Sequence, residues 1–483
     1  MDRNLTLMTD LYQLTMIQGY FETNMHNQKA VFDMFYRKNP SDNGYAIACG
    51  LEQVVDYIKN LKFDKESIEY LKSLNIFKED FLHYLKDFKF TGDMYAIPEG
   101  TVVFPGEPLI RVKSNIVEAQ FIETTILNII NHQSLIATKS ARVSWAANGD
   151  SVMEFGLRRA QGPDAGIYGA RAAVIGGCSS TSNVLAGQIF KIPVSGTHAH
   201  SWIMSFKDEI TAFRTYANIF PDKCILLVDT YDTLKSGVPN AIKVFQEMKD
   251  KGIKLKNYGI RLDSGDLAYI SDKARDMLDK AGFEDAFIAA SSDLDENIIS
   301  SLKQQGTKIN VWGVGTKLIT SSDCPAFGGV YKLAAKEIDG QIVPKIKLSE
   351  NPDKVTNPGV KKIYRLYDKN TKKIKADLIC LEDEIIDAKE DLTIFHPINT
   401  WKTMTLKANQ YYVKELLKPV FLDGKCVFEK RETMEIKKYC EEEKESLWNE
   451  HKRLINPHIL PVDLSLKLYN LKKDMIDSIR KNK

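Results

Sequence analysis

Residues 224–266 read CILLVDTYDTLKSGVPNAIKVFQEMKDKGIKLKNYGIRLDSGD. A short apolar run at 224–228 ends in the polar cluster D-T-Y-D-T. Residues 238–251 then carry apolar side chains at helical spacing, and a second apolar run at 258–260 ends in R-L-D-S-G-D. The unit is strand, polar cluster, helix, strand, and it recurs in both directions. Upstream, 151–155 ends in G-L-R-R-A-Q-G and 189–194 in S-G-T-H-A-H-S; downstream, 286–290 ends in S-S-D-L-D and 309–314 in G-T-K. Amphipathic segments at 267–281 and 296–305 fill the gaps. Short apolar strands alternating with helices imply right-handed βαβ crossovers and a parallel sheet. Six or more in series predict an α/β barrel rather than an open sheet. The carboxyl ends of barrel strands share one rim, so all these polar clusters should converge on one site.

The flanks differ in texture. At 9–21 a polar T-D pair precedes Leu11, Leu14 and Ile17 at helical spacing, which predicts a helix. Strands are expected within 29–47 around K-N-P-S-D-N-G and within 94–112 around P-E-G and F-P-G-E-P; helices are expected at 51–61 and at 65–88, broken near Asn75. Residues 115–147 predict one or two helices, whose Lys139 and Arg142 stand a turn apart, facing either an anion or solvent. From about Lys336 the chain is irregular, and beyond Glu435 it is charged and helical. The expected division is an N-terminal α+β domain at 1–148, the barrel at 149–335 carrying the active site, and a C-terminal extension at 336–483 packing partly on the N-terminal domain.

Composition narrows the function. The 483 residues carry a formal net charge of only +2, so no basic field argues for nucleic acid or membrane as partner. Seven cysteines without a C-x-x-C pair form neither a zinc ribbon nor a secreted disulfide framework. No signal peptide and no run of about 18 apolar residues is present, so a cytoplasmic address is expected.

The rim residues then set the chemistry. In G-T-H-A-H-S-W, His198 and His200 place two imidazoles past a strand end, able to pass protons, bind a metal or accept a phosphoryl group. Arg158, Arg159 and Arg261 supply guanidinium forks suited to phosphate and carboxylate, one of the adjacent pair being expected to point elsewhere. The backbone of G-V-G-T-K at 313–317 could cradle a phosphate. Asp229, Asp232, Asp263 and Asp266 could hold Mg²⁺ through water on a polyphosphate, or simply cap helices. A barrel hydrolase binding zinc or iron through H-x-H is the alternative, but it needs further histidines at later strand ends, where none occurs.

Six motifs in this order, E-F-G-L-R-R-A-Q-G-P-D-A-G, T-S-N-V-L-A-G-Q, G-T-H-A-H-S-W, I-R-L-D-S-G-D-L, V-G-T and G-G-V-Y-K-L, together with the N-terminal T-D-L-Y-Q, resemble the nicotinate phosphoribosyltransferases. The resemblance implies an irregular, type II phosphoribosyltransferase-like barrel. It implies an ATP-coupled ligase of NAD salvage that makes nicotinate mononucleotide and pyrophosphate from nicotinate and 5-phosphoribosyl 1-pyrophosphate, with Mg²⁺. By motif, His200 resembles the phosphorylated histidine; Asp229 and Asp263 are expected to be catalytic carboxylates that tolerate the cation growing on the ribose. Tyr12 and Phe155 resemble the aromatic sandwich for the pyridine ring, Tyr12 coming from a partner subunit of a homodimer with shared sites. Thr197 and Arg261 resemble the nicotinate contacts, with Arg158 a further substrate contact, and Gly315 and Thr316 the phosphate contacts. Asn183 occupies the place where nicotinamide-using relatives carry an Asp, so it is expected either to select acid over amide or merely to cap the helix that begins there; a nicotinamide-using enzyme is the other reading of the whole.

Overall fold

The computed structural model describes residues 3–481, and these fall into two compact units. The first gathers the described residues up to Leu135 with Ala326–Arg431 and those from Lys438 onward; the second holds Ile136–Pro325 and Glu432–Lys437.

In the first unit the expected N-terminal helix is Leu11–Glu22, and helices Leu51–Lys59, Lys65–Ser73 and Glu79–Leu85 follow, the interruption falling at Asn75 with φ 57°. Lys29–Tyr36 lies inside a seven-stranded sheet, paired antiparallel with Ile110–Asn115 on one side and Gly329–Ile338 on the other. Its residues Ala30, Met34 and Tyr36 enter a core with Phe81, Phe121 and Tyr331. The segment that looked irregular in sequence builds a six-stranded sheet around Lys361–Asp368 and Ile374–Leu381. Its strands are separated by Pro and Gly breaks, so the alternation is interrupted too often to be read. Arg365 anchors this sheet: wholly buried, it donates to Asp377 at 2.7 Å, to Glu443 at 2.9 Å and to the Val102 carbonyl at 2.7 Å. Charge-assisted bonds to every edge of the guanidinium offset its desolvation.

The second unit contains the strand series. Its strands are β1 (Ser151–Glu154), β2 (Ser180–Thr181), β3 (Ile225–Leu227), β4 (Gly259–Leu262), β5 (Phe287–Ser292) and β6 (Val311–Val314). All pair in parallel, in the order β2-β1-β6-β5-β4-β3. Leu226, Ile260, Ile288 and Trp312 are fully buried, as expected of parallel strands covered on both faces. Gly259 is required where it stands, because a Cβ there would lie 2.1 Å from the Phe287 carbonyl oxygen. Polar residues after the strands start the next helices. Asp266 accepts from Tyr269 N (3.1 Å) and Asp295 from Ile298 N (2.9 Å), which satisfies otherwise orphaned first-turn amides.

The expectations for residues 189–194 and for Lys139 and Arg142 are corrected here, and the barrel is met only as a parallel α/β sheet. Residues 189–194 are not a strand: helix Val184–Phe190, capped by Asn183, runs through Ile189, and only Val194 makes a single parallel bridge, to Thr181. Nor do the sheets form a closed barrel. The strand order is cyclic, but no ladder joins β2 to β3 among the described residues. Residues 193–200 lie in that gap, with Thr181 N donating to Pro193 O (3.1 Å) and Ser195 N to Thr181 O (2.9 Å). Pro193 has no N–H and Gly196 breaks the run, so this segment cannot carry a full ladder. Lys139 and Arg142 face neither solvent nor a ligand; both are buried, and both pair with the buried Glu296 at 2.8 Å.

Candidate active site

The carboxyl ends of the strands and the 193–200 segment enclose a cavity of about 560 Å³. After β1 it is walled by Phe155, Arg158 and Arg159, at the end of β4 by Arg261 and Asp263, and after β6 by Gly315 and Thr316; both adjacent arginines therefore face it. Phe155 is seated by Gly313, where a Cβ would come within 2.7 Å of the ring. Gly315 and Thr316 open the short helix Thr316–Ile319, so backbone amides point toward the rim.

Arg261 organises the gap-filling segment. Its Nη1 donates to Thr197 Oγ1 and its Nη2 to the His198 carbonyl, each at 2.8 Å. Burial lowers its pKa, opposed by Asp263 and Asp229, and a guanidinium has ample margin to stay charged. His198 packs edge-on against Tyr216 with ring centres 4.6 Å apart. Burial, reinforced by Arg261, pushes its pKa down to about 4, so it is a neutral structural imidazole.

His200 differs. Its ring is 39% exposed; Nδ1 contacts Thr230 Oγ1 at 3.1 Å, and Nε2 lies 3.7 Å from Asp263 Oδ2 and 4.0 Å from Asp229 Oδ1. Asp229 is fixed by Asp263 N (2.8 Å) and Ser264 Oγ (2.7 Å) on its Oδ2, which leaves Oδ1 buried with no hydrogen-bond partner. Asp263 accepts from Ser291 Oγ at 2.6 Å. Asp232 and Asp266, by contrast, are helix caps.

Four expected residues are not among those lining this cavity: His200 and Asp229, which adjoin it through the lining residue Asp263, and Asn183 and Tyr12. Asn183 is 2% exposed and both ends of its amide are engaged: Oδ1 accepts from Ala186 N (3.1 Å) and Nδ2 donates to Gly166 O (3.0 Å). Its neighbour Ser182 lines the wall instead. Tyr12, 48% exposed on its helix in the first unit, is not among the lining residues. Reading motifs alone missed Thr230, Ser264 and Ser291, which hold His200 and the two acids; Thr230 and Ser264 stand in polar clusters after a strand and Ser291 in the last two residues of β5, which was the available signal.

Among the described residues no group of three or more His, Cys, Asp or Glu could hold a metal ion. Asp263 and Asp293 nonetheless face the cavity. Such a donor set suits Mg²⁺ arriving on a polyphosphate and held through water.

A parallel α/β sheet whose strand ends gather guanidinium groups, helix-terminal amides and a histidine between two carboxylates defines a class: transferases of phosphorylated, anionic substrates. Comparison with known proteins narrows it. The nicotinate phosphoribosyltransferase family matches residues 151–378, its N-terminal domain 7–131 and its C-terminal domain 360–472. A nicotinate phosphoribosyltransferase of Bacillus subtilis is 48% identical, over 99% of this chain and 96% of its own length. Human nicotinic acid phosphoribosyltransferase superposes with a TM-score of 0.83 at 28% identity, covering 97% of this chain and 99% of that one. A nicotinate-nucleotide pyrophosphorylase from Pyrococcus furiosus shares the fold, with a TM-score of 0.68 at 22% identity, over 92% of this chain and 96% of its own. This chain belongs to the nicotinate phosphoribosyltransferase family. Among the described residues no helix is long and apolar enough to cross a membrane.

Proposed function

We propose that this enzyme joins nicotinate to 5-phosphoribosyl 1-pyrophosphate, forming nicotinate mononucleotide and pyrophosphate in NAD salvage, with ATP hydrolysis coupled through a phosphohistidine at His200. The observation that carries the reading is the fixed anion-binding wall of Arg261, Thr197 and Arg158 beside a histidine flanked by Asp229 and Asp263. The pyridine ring stacks on Phe155, and its carboxylate is held by Arg261 and Thr197. Stacking places the ring nitrogen in line with the anomeric carbon. As the anomeric C–O bond breaks, positive charge grows on the ribose and negative charge on pyrophosphate. The arginines and the amides at Gly315 and Thr316 stabilise the leaving group, while the carboxylates tolerate the cation. Asp263 and Asp293 in the cavity wall, with Asp229 beside Asp263, would hold Mg²⁺ through water, and the ion would supply further neutralisation of the pyrophosphate.

His200 has separate work. A ring nitrogen attacks the γ-phosphorus of ATP and ADP leaves; water later releases phosphate from the ring. Asp229 and Asp263 compensate the positive charge that the phosphorylated ring gains. The cyclic strand order and the 193–200 segment in the gap support an irregular barrel, with Arg261 tying that segment to β4. Asn183 serves this site as a positioning residue, through Ser182 and the helix it caps. The active unit is a homodimer in which Tyr12 comes from the partner subunit. The protein is incubated with phosphoribosyl pyrophosphate, Mg²⁺ and either nicotinate or nicotinamide, with and without ATP, and the product is identified. Nicotinate mononucleotide is expected, made faster with ATP; nicotinamide mononucleotide as the main product would overturn the substrate assignment. His200→Ala is expected to abolish acid-labile labelling from γ-labelled ATP while His198→Ala keeps it.

A further inference from the structure

A second large cavity lies in the first unit and shares no lining residue with the cavity at the strand ends. It measures about 870 Å³ and is bounded by the Lys29–Tyr36 strand, the turn at 396–404 and the Val462–Leu464 strand. Its polar groups are unusual. Lys472 is 6% exposed, yet its ammonium is met only by neutral acceptors, Asn357 Oδ1 at 2.9 Å and the Pro397 carbonyl at 3.3 Å. Asp463 is 4% exposed, and its buried Oδ1 has no hydrogen-bond partner. Arg37 adds a buried Nε without a partner. Lys472 and Asp463 do not pair with each other. Burial, reinforced by the nearby Lys361, lowers the Lys472 pKa to about 8, and burial raises that of Asp463 to about 6 although the charge of Lys402 opposes it.

A folded chain keeps a buried cation that meets only neutral acceptors, and a buried carboxylate oxygen without a hydrogen bond, at a cost, and a ligand carrying the complementary groups removes it. The cation end wants an anion. The carboxyl end wants hydrogen-bond donors. At the mouth, Trp401 is 77% exposed, a flat ring with little of the protein packed on it, beside Ile398 and Met404. An aromatic platform, apolar walls, an acceptor for ring N–H groups and a cationic end together describe a purine nucleotide. We propose that this cavity is a nucleotide-binding site distinct from the active site, with the phosphate on Lys472 and Arg37, the base against Trp401 and its exocyclic amine on Asp463. Lys472 also borders an adjoining groove of about 920 Å³ lined by Lys473 and Arg480 together with the acids Glu350 and Asp477.

Equilibrium dialysis of the full chain with labelled AMP, and separately with inorganic phosphate, tests this. One AMP per chain is expected, and it should be retained in Arg261→Ala, whose active-site wall is broken. Lys472→Met is expected to weaken AMP at least tenfold with catalytic turnover unchanged, while Lys472→Arg keeps binding. Asp463→Asn should weaken AMP but leave phosphate unaffected. Melting temperatures identify any variant that fails to fold, and Trp401→Phe, at an exposed position, then supplies an independent loss of AMP affinity. Absence of AMP binding, or binding lost in Arg261→Ala and kept in Lys472→Met, overturns the proposal.

Discussion

At the scale of single residues, the two histidines of one motif have been given opposite environments. His200 keeps an exposed ring between two acids, whereas His198 is pressed onto Tyr216 with Arg261 above its carbonyl. The His198 pKa, pushed down to about 4, compares with about 6.5 in an unfolded chain. Between those values the unfolded chain takes up a proton that the folded chain refuses. Stability is therefore complete above about pH 6.5 and falls as pH drops toward 4. His198→Gln removes that titration, so the acid-side loss should shrink by on the order of 1–3 kcal/mol. Urea unfolding of both proteins at several pH values between 4.5 and 7.5 measures it. Equal slopes would mean that the folded protein protonates this imidazole freely. Arg261 offers a second residue-scale expectation, since its two 2.8 Å donations leave from different nitrogens of one fork. Lysine keeps the charge but not the fork, so Arg261→Lys should lower kcat/KM about 100-fold, or ~2.7 kcal/mol. Full activity in that variant would show that charge alone suffices.

At the scale of elements, the strand-to-helix junctions do two jobs, and Asn183 shows how they compete. As the cap of Val184–Phe190 it uses its carbonyl on Ala186 N, and its amide N–H₂ is committed to the Gly166 carbonyl. Asn183→Asp retains the cap but turns a donor into a charged acceptor facing Gly166 O, at a cost of about 1–3 kcal/mol in stability. Because the substituted group lies behind the wall, kcat/KM for nicotinate and nicotinamide should fall together. A selective loss for nicotinate would instead place Asn183 in contact with the pyridine substituent. The same junctions explain what the sequence could reveal. The clusters after β1, β4 and β6 were legible because short buried strands leave no other place for Arg158, Arg261 and Thr316. The capping roles of Asp232 and Asp266 were visible only as alternatives, since a strand-end Asp serves a helix or a ligand equally well by pattern. Residues 189–194 misled because β-prone side chains also suit a short capped helix, and tertiary contacts decided between them. Pairs such as Lys139 and Glu296 lie too far apart in sequence for any local signal to connect them.

At the scale of the whole molecule, the N-terminal and C-terminal segments share one compact unit while the strand series forms the other, so the chain returns to its first unit after building the site. A C-terminal extension packing partly on the N-terminal domain was expected, but which strands pair was not legible, because no local signal marks distant partners; the Lys29–Tyr36 and Gly329–Ile338 strands are neighbours across about 300 residues. Tyr12 poses the remaining question of assembly. Its ring is exposed on Leu11–Glu22 and does not line the cavity, although the T-D-L-Y-Q motif resembles the family's pyridine-stacking segment. A residue supplied by a second copy in a symmetric dimer makes a quantitative prediction. Tyr12→Ala and Arg261→Ala are each expected to be nearly inactive alone. After subunit exchange in an equal mixture, half of the dimers are mixed. Each mixed dimer has one site with both intact residues and one site with neither. Activity per site should therefore rise to about a quarter of wild type if exchange is random. Native mass spectrometry of the mixture confirms that exchange has occurred, and the assay is read against that fraction. If exchange is complete and activity stays at the level of the separate variants, Tyr12 acts within its own chain or not at all, and the shared-site dimer fails.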